Sequence, residues 1–207
     1  NPQKNTALID VASGTGDIAK LYLDKINYKG KAYCVDENKG MLDLSKKKFE
    51  NNTSVKWFCN NAEKLPFKNN TFDYCTISFG IRNVENINMT LKEAYRVLKP
   101  GGWGYLSWTN WYSPNGGHNM NPYQYLGPKW GPRLYEKRHG PPPDNRYGEG
   151  LFAVHIGPTL RMIRQRTDIS ITRIEPRYWP WARFIIAIPG LREFFTWNCV
   201  IRFNRRN

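Results

Sequence analysis

The run Asp10-Val11-Ala12-Ser13-Gly14-Thr15-Gly16-Asp17 holds residue types that let a chain bend tightly around a small ligand. Gly14 and Gly16 can take backbone angles closed to other residues, and without a Cβ they let a ligand lie against the turn. Asp10 and Asp17 put carboxylate acceptors where a cationic amino acid group would need them. Asp36 closes a second apolar run, at a position from which one carboxylate can accept both hydroxyls of a ribose. The turn and Asp36 together point to a nucleoside cofactor. Dinucleotide binding is the weaker reading, because Ala19 replaces the third glycine of a GxGxxG pattern. Asn61-Ala62-Glu63 follows a third apolar run, where a side chain can reach an adenine edge; an ordinary polar loop is the alternative.

The elements that must position these groups can be read from the same stretch. Thr6 to Ala12 is a short apolar strand, and after the glycine turn a helical pattern runs from Asp17 to Asp24. Lys31 to Asp36, Val55 to Cys59 and Thr71 to Phe79 predict three more strands, with helices over Lys39 to Phe49 and Ile87 to Leu98. Pro100-Gly101-Gly102 is expected to stop the last helix before a fifth strand, Gly104 to Trp108. Residues 110–150 are dense in Gly, Pro, Asn, Tyr and Arg with little periodicity, and read as a long loop or lid. A helix over Gly157 to Arg166, a strand over Ile169 to Glu175, a short helix over Trp181 to Ile188 and a strand over Thr196 to Phe203 complete the chain. Strands alternating with helices at this spacing predict an α/β fold: a Rossmann-like, mainly parallel seven-stranded sheet with helices on both faces. One domain of residues 1–207 is expected, with a cofactor-binding half over 1–102 and a substrate-facing half over 103–207.

The 207 residues carry 31 Lys and Arg against 17 Asp and Glu, a formal charge of +14. Such a field attracts anionic partners, RNA or a membrane surface among them, without naming one. Residues 1–100 hold 14 Lys and 2 Arg, whereas residues 101–207 hold 2 Lys and 13 Arg, with seven of the eight Trp. So abrupt a change reads as a join between two sequence histories inside one fold, with an unusual natural sequence as the alternative. No apolar run approaches the roughly 20 residues of a membrane span. Cys34, Cys59, Cys75 and Cys199 lack metal-ligand spacing and read as reduced, mostly buried strand residues, so no metal site is expected.

The segments LIDVASGTGDIA, CVDENKGML, NAEKLPFKNNTFDYCTISFGIRNV and LKEAYRVLKPGG resemble, in order, the motifs of the ubiquinone/menaquinone biosynthesis C-methyltransferases across residues 7–102. The resemblance implies a class I methyltransferase with S-adenosyl-L-methionine as cofactor. By position it assigns Gly14 and Gly16 to the methionine-side turn, Asp36 to the ribose and Asn61 to the adenine. Asp10, Ala12, Glu37, Met41, Ala62 and Ser78 complete the expected cofactor set. That family has Asp where this chain has Asn61, which keeps an acceptor but loses a charge. After Gly102, SWTNWYSPNGGH, YLG, YEKRHGPPPDNRYGEGLF and PRYWPWARFIIAIPGLREFFTWNCVIRF are similar to a second, poorly characterised group of bacterial class I methyltransferases, many of them actinobacterial. The two resemblances agree on fold and cofactor and differ on substrate. Members of the first family also carry a segment before the glycine strand that helps close the pocket. Its absence from this sequence predicts weak cofactor binding unless a partner or an omitted segment supplies the cover.

Methyl transfer is an in-line displacement, so the protein must chiefly align acceptor and methyl group and, for a phenol or enol, favour the ionised form. Ligands in such sheets bind outside the carboxyl ends of the strands, which places Ser78 to Asn83 and Thr109 to His118 at the mouth. Arg82 can stabilise a phenolate-like acceptor, or hold a loop. His118 has the pKa range of a general base, His139 and His155 being weaker candidates; a lone loop histidine is more often structural. Trp108, Trp111, Tyr125 and Tyr147 are the expected substrate contacts, against a self-packed loop. The stretch Trp179 to Phe195 can graze a membrane or cover the sheet. The expected function is methylation of a small aromatic or lipid-like acceptor, in the cytoplasm or mitochondrial matrix, in places peripheral to a membrane. The alternative is a non-catalytic protein of this fold that binds RNA or serves a larger assembly.

Overall fold

The structure, a computed structural model, describes residues 2–50, 52–143 and 146–206. The first apolar run forms β1 (Thr6–Val11), and its alternation is read out on two faces. Leu8 points into one core with Ala32, Cys34 and Val55, while Ile9 and Val11 point into the other with Val35, Cys75 and Ile77. Strand residues of this kind, buried on both sides, need helices above and below.

The first core is closed by α1 (Asp17–Lys25), through Ala19, Tyr22 and Leu23, and by α2 (Lys39–Lys48), through Leu42. The second is closed by α3 (Ile87–Val97), through Leu91, Ala94 and Val97. Asn38 caps α2 by accepting from the Met41 amide at 3.1 Å, and Asn86 caps α3 by accepting from the Met89 amide at 3.1 Å. Between these helices run β2 (Gly30–Asp36), β3 (Val55–Cys59), β4 (Phe72–Ser78) and β5 (Leu98–Thr109).

β5 begins earlier than the sequence predicts. Pro100-Gly101-Gly102 does not precede the strand but lies inside it: Leu98 already pairs with Phe72, and the register shifts before Trp103 pairs with Tyr74. The three residues are taken up as an irregularity in one edge of the ladder, with Gly101 at φ 72°.

The segment expected as a long loop is also more ordered than predicted. Short 3-10 turns at His118–Met120 and Tyr123–Leu126 lead into α4 (Gly127–His139). Pro128 sits in the first turn, where no amide partner is needed, and Gly131 lets the helix backbone approach the Tyr123 carbonyl. Its Gly and Pro content hid the helix from pattern reading. Residues 144 and 145 of the expected lid lie outside the described residues.

The remainder is α5 (Ile156–Arg164), β6 (Ile169–Pro176), two single-turn helices α6 (Phe184–Ala187) and α7 (Leu191–Phe195), and β7 (Asn198–Arg205). The expected helix over 181–188 is thus split between a 3-10 turn at Pro180–Ala182 and α6. All seven strands join one sheet in the order β3-β2-β1-β4-β5-β7-β6. β7 is antiparallel to both neighbours and the other adjacent pairs are parallel. Cys34, Cys75 and Cys199 are buried and Cys59 is exposed, all four on strands.

β7 packs tightly on β5 because Gly104 leaves room for the ring of Phe203; any Cβ at residue 104 would overlap that ring. Gly104→Ala is expected to lower the unfolding free energy by about 1–3 kcal/mol through overpacking, measured by urea denaturation.

Candidate functional site

The parallel strands all end on one edge of the sheet, and the loops leaving them enclose a cavity of about 460 Å³. That volume lies within the roughly 300–1,000 Å³ of small-molecule sites. Ten predicted residues come together around it: Ala12, Gly14, Asp36, Glu37, Met41, Asn61, Ala62, Ser78, Arg82 and His118.

Asp36 is the centre of the nucleoside end. One carboxylate oxygen accepts from the Gly14 amide at 2.8 Å, and the other accepts from the Asn38 amide at 2.8 Å. Each oxygen keeps lone-pair capacity on the cavity side, which suits a vicinal diol. Nothing lies within 4 Å of where a Cβ on Gly14 would stand, so the turn leaves open space for a ligand. Val35, Met41 and Ala62 supply an apolar wall. Asn61 turns its side-chain oxygen onto the Glu63 amide at 2.5 Å, and Glu63 in turn accepts from the Asn86 amide at 2.6 Å. Asn61 therefore spends one acceptor position on its own loop and keeps its amide group for a base edge.

At the other end Ala12, Ser78, Phe79 and Gly80 form the floor. Arg82 borders it half-buried, and its Nε and one terminal nitrogen have no hydrogen-bond partner. Burial lowers its guanidinium pKa to about 10. His118, in a left-handed backbone conformation at φ 49°, borders the same end. Burial, and then the Arg82 charge, lower its pKa, so the imidazole is neutral at pH 7. Phe152 joins this end and donates its amide to the Arg82 carbonyl at 2.7 Å.

Eight candidate residues lie elsewhere. Asp10 is buried beneath the turn, accepting from the Thr76 hydroxyl at 2.6 Å. Its other oxygen has no partner, and burial, opposed by that hydrogen bond and reinforced by Asp36 and Asp17, raises its pKa from 3.8 to about 7. Gly16 caps α1 and faces Ser45 and Phe49, away from the cavity. Trp108 is 0% exposed within the core, and Trp111 is 1% exposed in a small cluster with Met120 and Leu151, so neither is available as a substrate contact in this conformation. The indole N–H of Trp111 instead donates to the Gln124 carbonyl at 3.0 Å and pins the lid segment. Tyr125 is exposed on the surface, and Tyr147 borders a neighbouring open cleft that shares Gly148 and Glu149 with the cavity. His139 pairs with the Tyr123 hydroxyl at 3.0 Å and His155 lies 3.9 Å from Glu193, both outside the cavity.

Asn38, Asn60, Glu149 and Phe152 border the cavity without having been singled out from the sequence, and Glu63 and Phe79 border it from stretches expected beside it. Asn38 follows Asp36 closely enough to be suspected as a helix cap. Glu149 and Phe152 gave no signal, because the segment after β5 must fold back before the Phe152 amide reaches the Arg82 carbonyl.

This arrangement of sheet, glycine turn and strand-end carboxylate defines an S-adenosylmethionine-dependent methyltransferase. The ubiE/COQ5 methyltransferase family is matched over residues 1–110. An uncharacterised methyltransferase of Mycolicibacterium vanbaalenii is 35% identical over 201 residues, covering 96% of this chain and 76% of that protein. The ubiquinone/menaquinone biosynthesis C-methyltransferase UbiE of Rickettsia prowazekii is 49% identical over 110 residues, covering 49% of this chain and 43% of that protein. A SAM-dependent methyltransferase structure from Aquifex aeolicus superimposes with a TM-score of 0.62 at 15% identity, covering 99% of this chain and 85% of the other. The chain belongs to the ubiE/COQ5 methyltransferase family.

Two outcomes are expected from the carboxylates. Asp36→Ala is expected to weaken S-adenosylhomocysteine binding by about 10- to 100-fold in calorimetric titration, the loss of charge-assisted hydrogen bonds. The folded pKa of Asp10 lies above its unfolded value, so the native state holds the extra proton between about pH 4 and pH 7 and loses stability as pH rises through that window. The loss is on the order of a few kcal/mol. Asp10→Asn is expected to flatten that part of the stability profile in urea titrations.

Proposed function

We propose that the cavity aligns a small aromatic or lipid-like acceptor, of quinone-precursor type, for methylation at carbon. Residues 1–102 hold the cofactor in this reading, and residues 103–207 present the acceptor beneath the segment 110–150. When bound, S-adenosylmethionine supplies a methyl group on a sulfonium sulfur. Asp36 would hold its ribose, Met41, Ala62 and the Asn61 amide its base, and Ala12, Gly14 and Ser78 its amino acid end.

The observation that carries the acceptor reading is Arg82. Two of its nitrogens are buried without a partner beside the cavity, and a desolvated cation of this kind favours an anionic group. An enol or phenol ionises beside it, and the negative charge needed at the attacking carbon is thereby stabilised. In this reading His118, which borders the cavity with its pKa lowered by burial, takes the proton. Phe79, Val84 and Phe152 offer the apolar contact that an aromatic ring requires. The name of the Rickettsia relative, a C-methyltransferase of quinone biosynthesis, supports the same acceptor class. The compartment that fits this reading is the cytoplasm or the mitochondrial matrix; among the described residues no helix is long and apolar enough to cross a membrane.

The test is methyl transfer from labelled S-adenosylmethionine to hydroquinones bearing short prenyl tails. Arg82→Met is expected to reduce kcat by about 10²- to 10³-fold with S-adenosylhomocysteine affinity unchanged. His118→Gln is expected to cost about 10²-fold or more and to remove the loss of rate expected of the wild type at acid pH, below the ordinary histidine range. Retention of full activity in both variants would remove the acceptor assignment and leave the cofactor site standing.

A further inference from the structure

The surface between β6 and β7 is unusual for a water-facing one. Trp181 is 76% exposed, Phe184 58% and Phe195 60%, and Ile188, Leu191 and Phe194 lie exposed on the same short stretch. Phe184 lies on α6 and Leu191, Phe194 and Phe195 on α7, two single-turn helices packed on each other; with Trp181 on the preceding 3-10 turn and Ile188 between the helices they form a blunt wedge of exposed side chains. Scattered exposed apolar residues are ordinary, but a concentration of this size marks a binding surface.

The charges around it are one-sided. Between β6 and β7, residues 177–197 hold three arginines and a single acid, Glu193. That acid is turned inward: its two oxygens accept from the Ile156 amide at 2.9 Å and the Gly157 amide at 2.7 Å, at the start of α5. Arg183, in the middle of the wedge, is exposed and has no acid to neutralise it within the segment.

The wedge stands on the rim that holds the cavity. β5 runs parallel to β4, and β7 runs antiparallel to β5, with Thr109 opposite Asn198 and Pro176 opposite Cys199. The end of β6 and the start of β7 therefore lie at the strand ends that hold Asp36 and Ser78. Arg177, the first residue past β6, lays its guanidinium over the ring of Phe79 at 4.6 Å, and Phe79 borders the cavity. Phe194 stacks on Tyr112 at 5.0 Å, where the segment over the cavity begins.

We propose that residues 178–197 dock this protein onto an anionic lipid bilayer, with the cavity mouth held beside the membrane. Exposed Trp and Phe enter the interface between headgroups and acyl chains, and Arg183 pairs with lipid phosphate. A second copy fits less well, because the same arginines would face each other on chains that each carry +14. Single-stranded RNA would use rings for stacking but has no use for Ile188 and Leu191. The docking surface rests on its own observations; its use in gathering a lipid-like acceptor rests on the methyl-transfer reading above.

The test is co-sedimentation of the full chain with vesicles of phosphatidylcholine alone or mixed with phosphatidylglycerol, which needs no turnover. Wild type is expected to sediment with the mixed vesicles and much less with phosphatidylcholine. The combined variant Trp181→Ser, Phe184→Ser, Phe195→Ser is expected to partition at least about tenfold less, since each large apolar side chain withdrawn is a substantial share of the attraction. Arg183→Glu, which leaves the apolar wedge intact, is expected to lose the preference for phosphatidylglycerol. Thermal unfolding at the wild-type temperature shows that a variant is folded, and Arg183→Glu decides the matter if the triple variant is not. Equal sedimentation of wild type and folded variants overturns the proposal. So does failure of wild type to sediment, whether accompanied by a dimer or by binding to polyuridylate that the triple variant abolishes.

Discussion

Two amide hydrogens meet on the carboxylate of Asp36, one from the turn after β1 and one from the residue that caps α2. A glycine turn is sterically easy but entropically costly to hold in one shape, because glycine gives up the most backbone freedom on folding. The carboxylate fixes the turn at Gly14, and through the Asn38 amide it also fixes the start of α2, which carries Met41 into the cavity wall. The same group is the acceptor best placed for a ribose. Organisation of the site and recognition of the ligand therefore draw on the same two oxygens.

The two halves of the sequence, so different in composition, meet along β5. Ser78 at the end of β4 and Ser107 on β5 lie 3.2 Å apart, and Arg177 from the second half donates to both hydroxyls, at 3.4 and 3.3 Å. At the opposite end of the sheet Arg205 of β7 reaches back to the Tyr95 and Leu98 carbonyls and lies over the Tyr95 ring at 4.3 Å. Arginines of the second half thus close onto the first through the Tyr95 and Leu98 carbonyls and through three of its side chains, the Ser78 hydroxyl, the Asn70 oxygen and the Tyr95 ring.

Most strands and the cofactor edge were legible from sequence because both are local. Apolar alternation in β1 and β2, glycines at 14 and 16, and an acid ending β2 are patterns within forty residues. What failed was what depends on distant partners. Trp108 and Trp111 look like a ligand-facing pair in sequence, yet the alternation of β5 turns Trp108 into the core, and the lid turns Trp111 against Met120 and Leu151. Asp10 carries a charge in sequence, but burial beside Cys34 and Cys75 shifts its proton equilibrium, which no spacing rule reports. α4 was missed because its glycines and prolines read as helix breakers, yet Pro128 is tolerated in the first turn and Pro132 is buried inside the helix, where packing overrides the ordinary preference. The exposed wedge was suspected from composition, and only its outward orientation distinguishes it from an ordinary sheet cover.

The turn after β1 and the turn after β4 touch with no clearance. A Cβ on Gly80 would overlap the methyl of Ala12, itself held at φ 52°. Residues 12 and 80 thus share space for one methyl group between them, although 68 positions separate them in the chain. Their side chains behave as a single volume, and the floor of the cavity, with Phe79 beside it, takes its level from how that volume is divided.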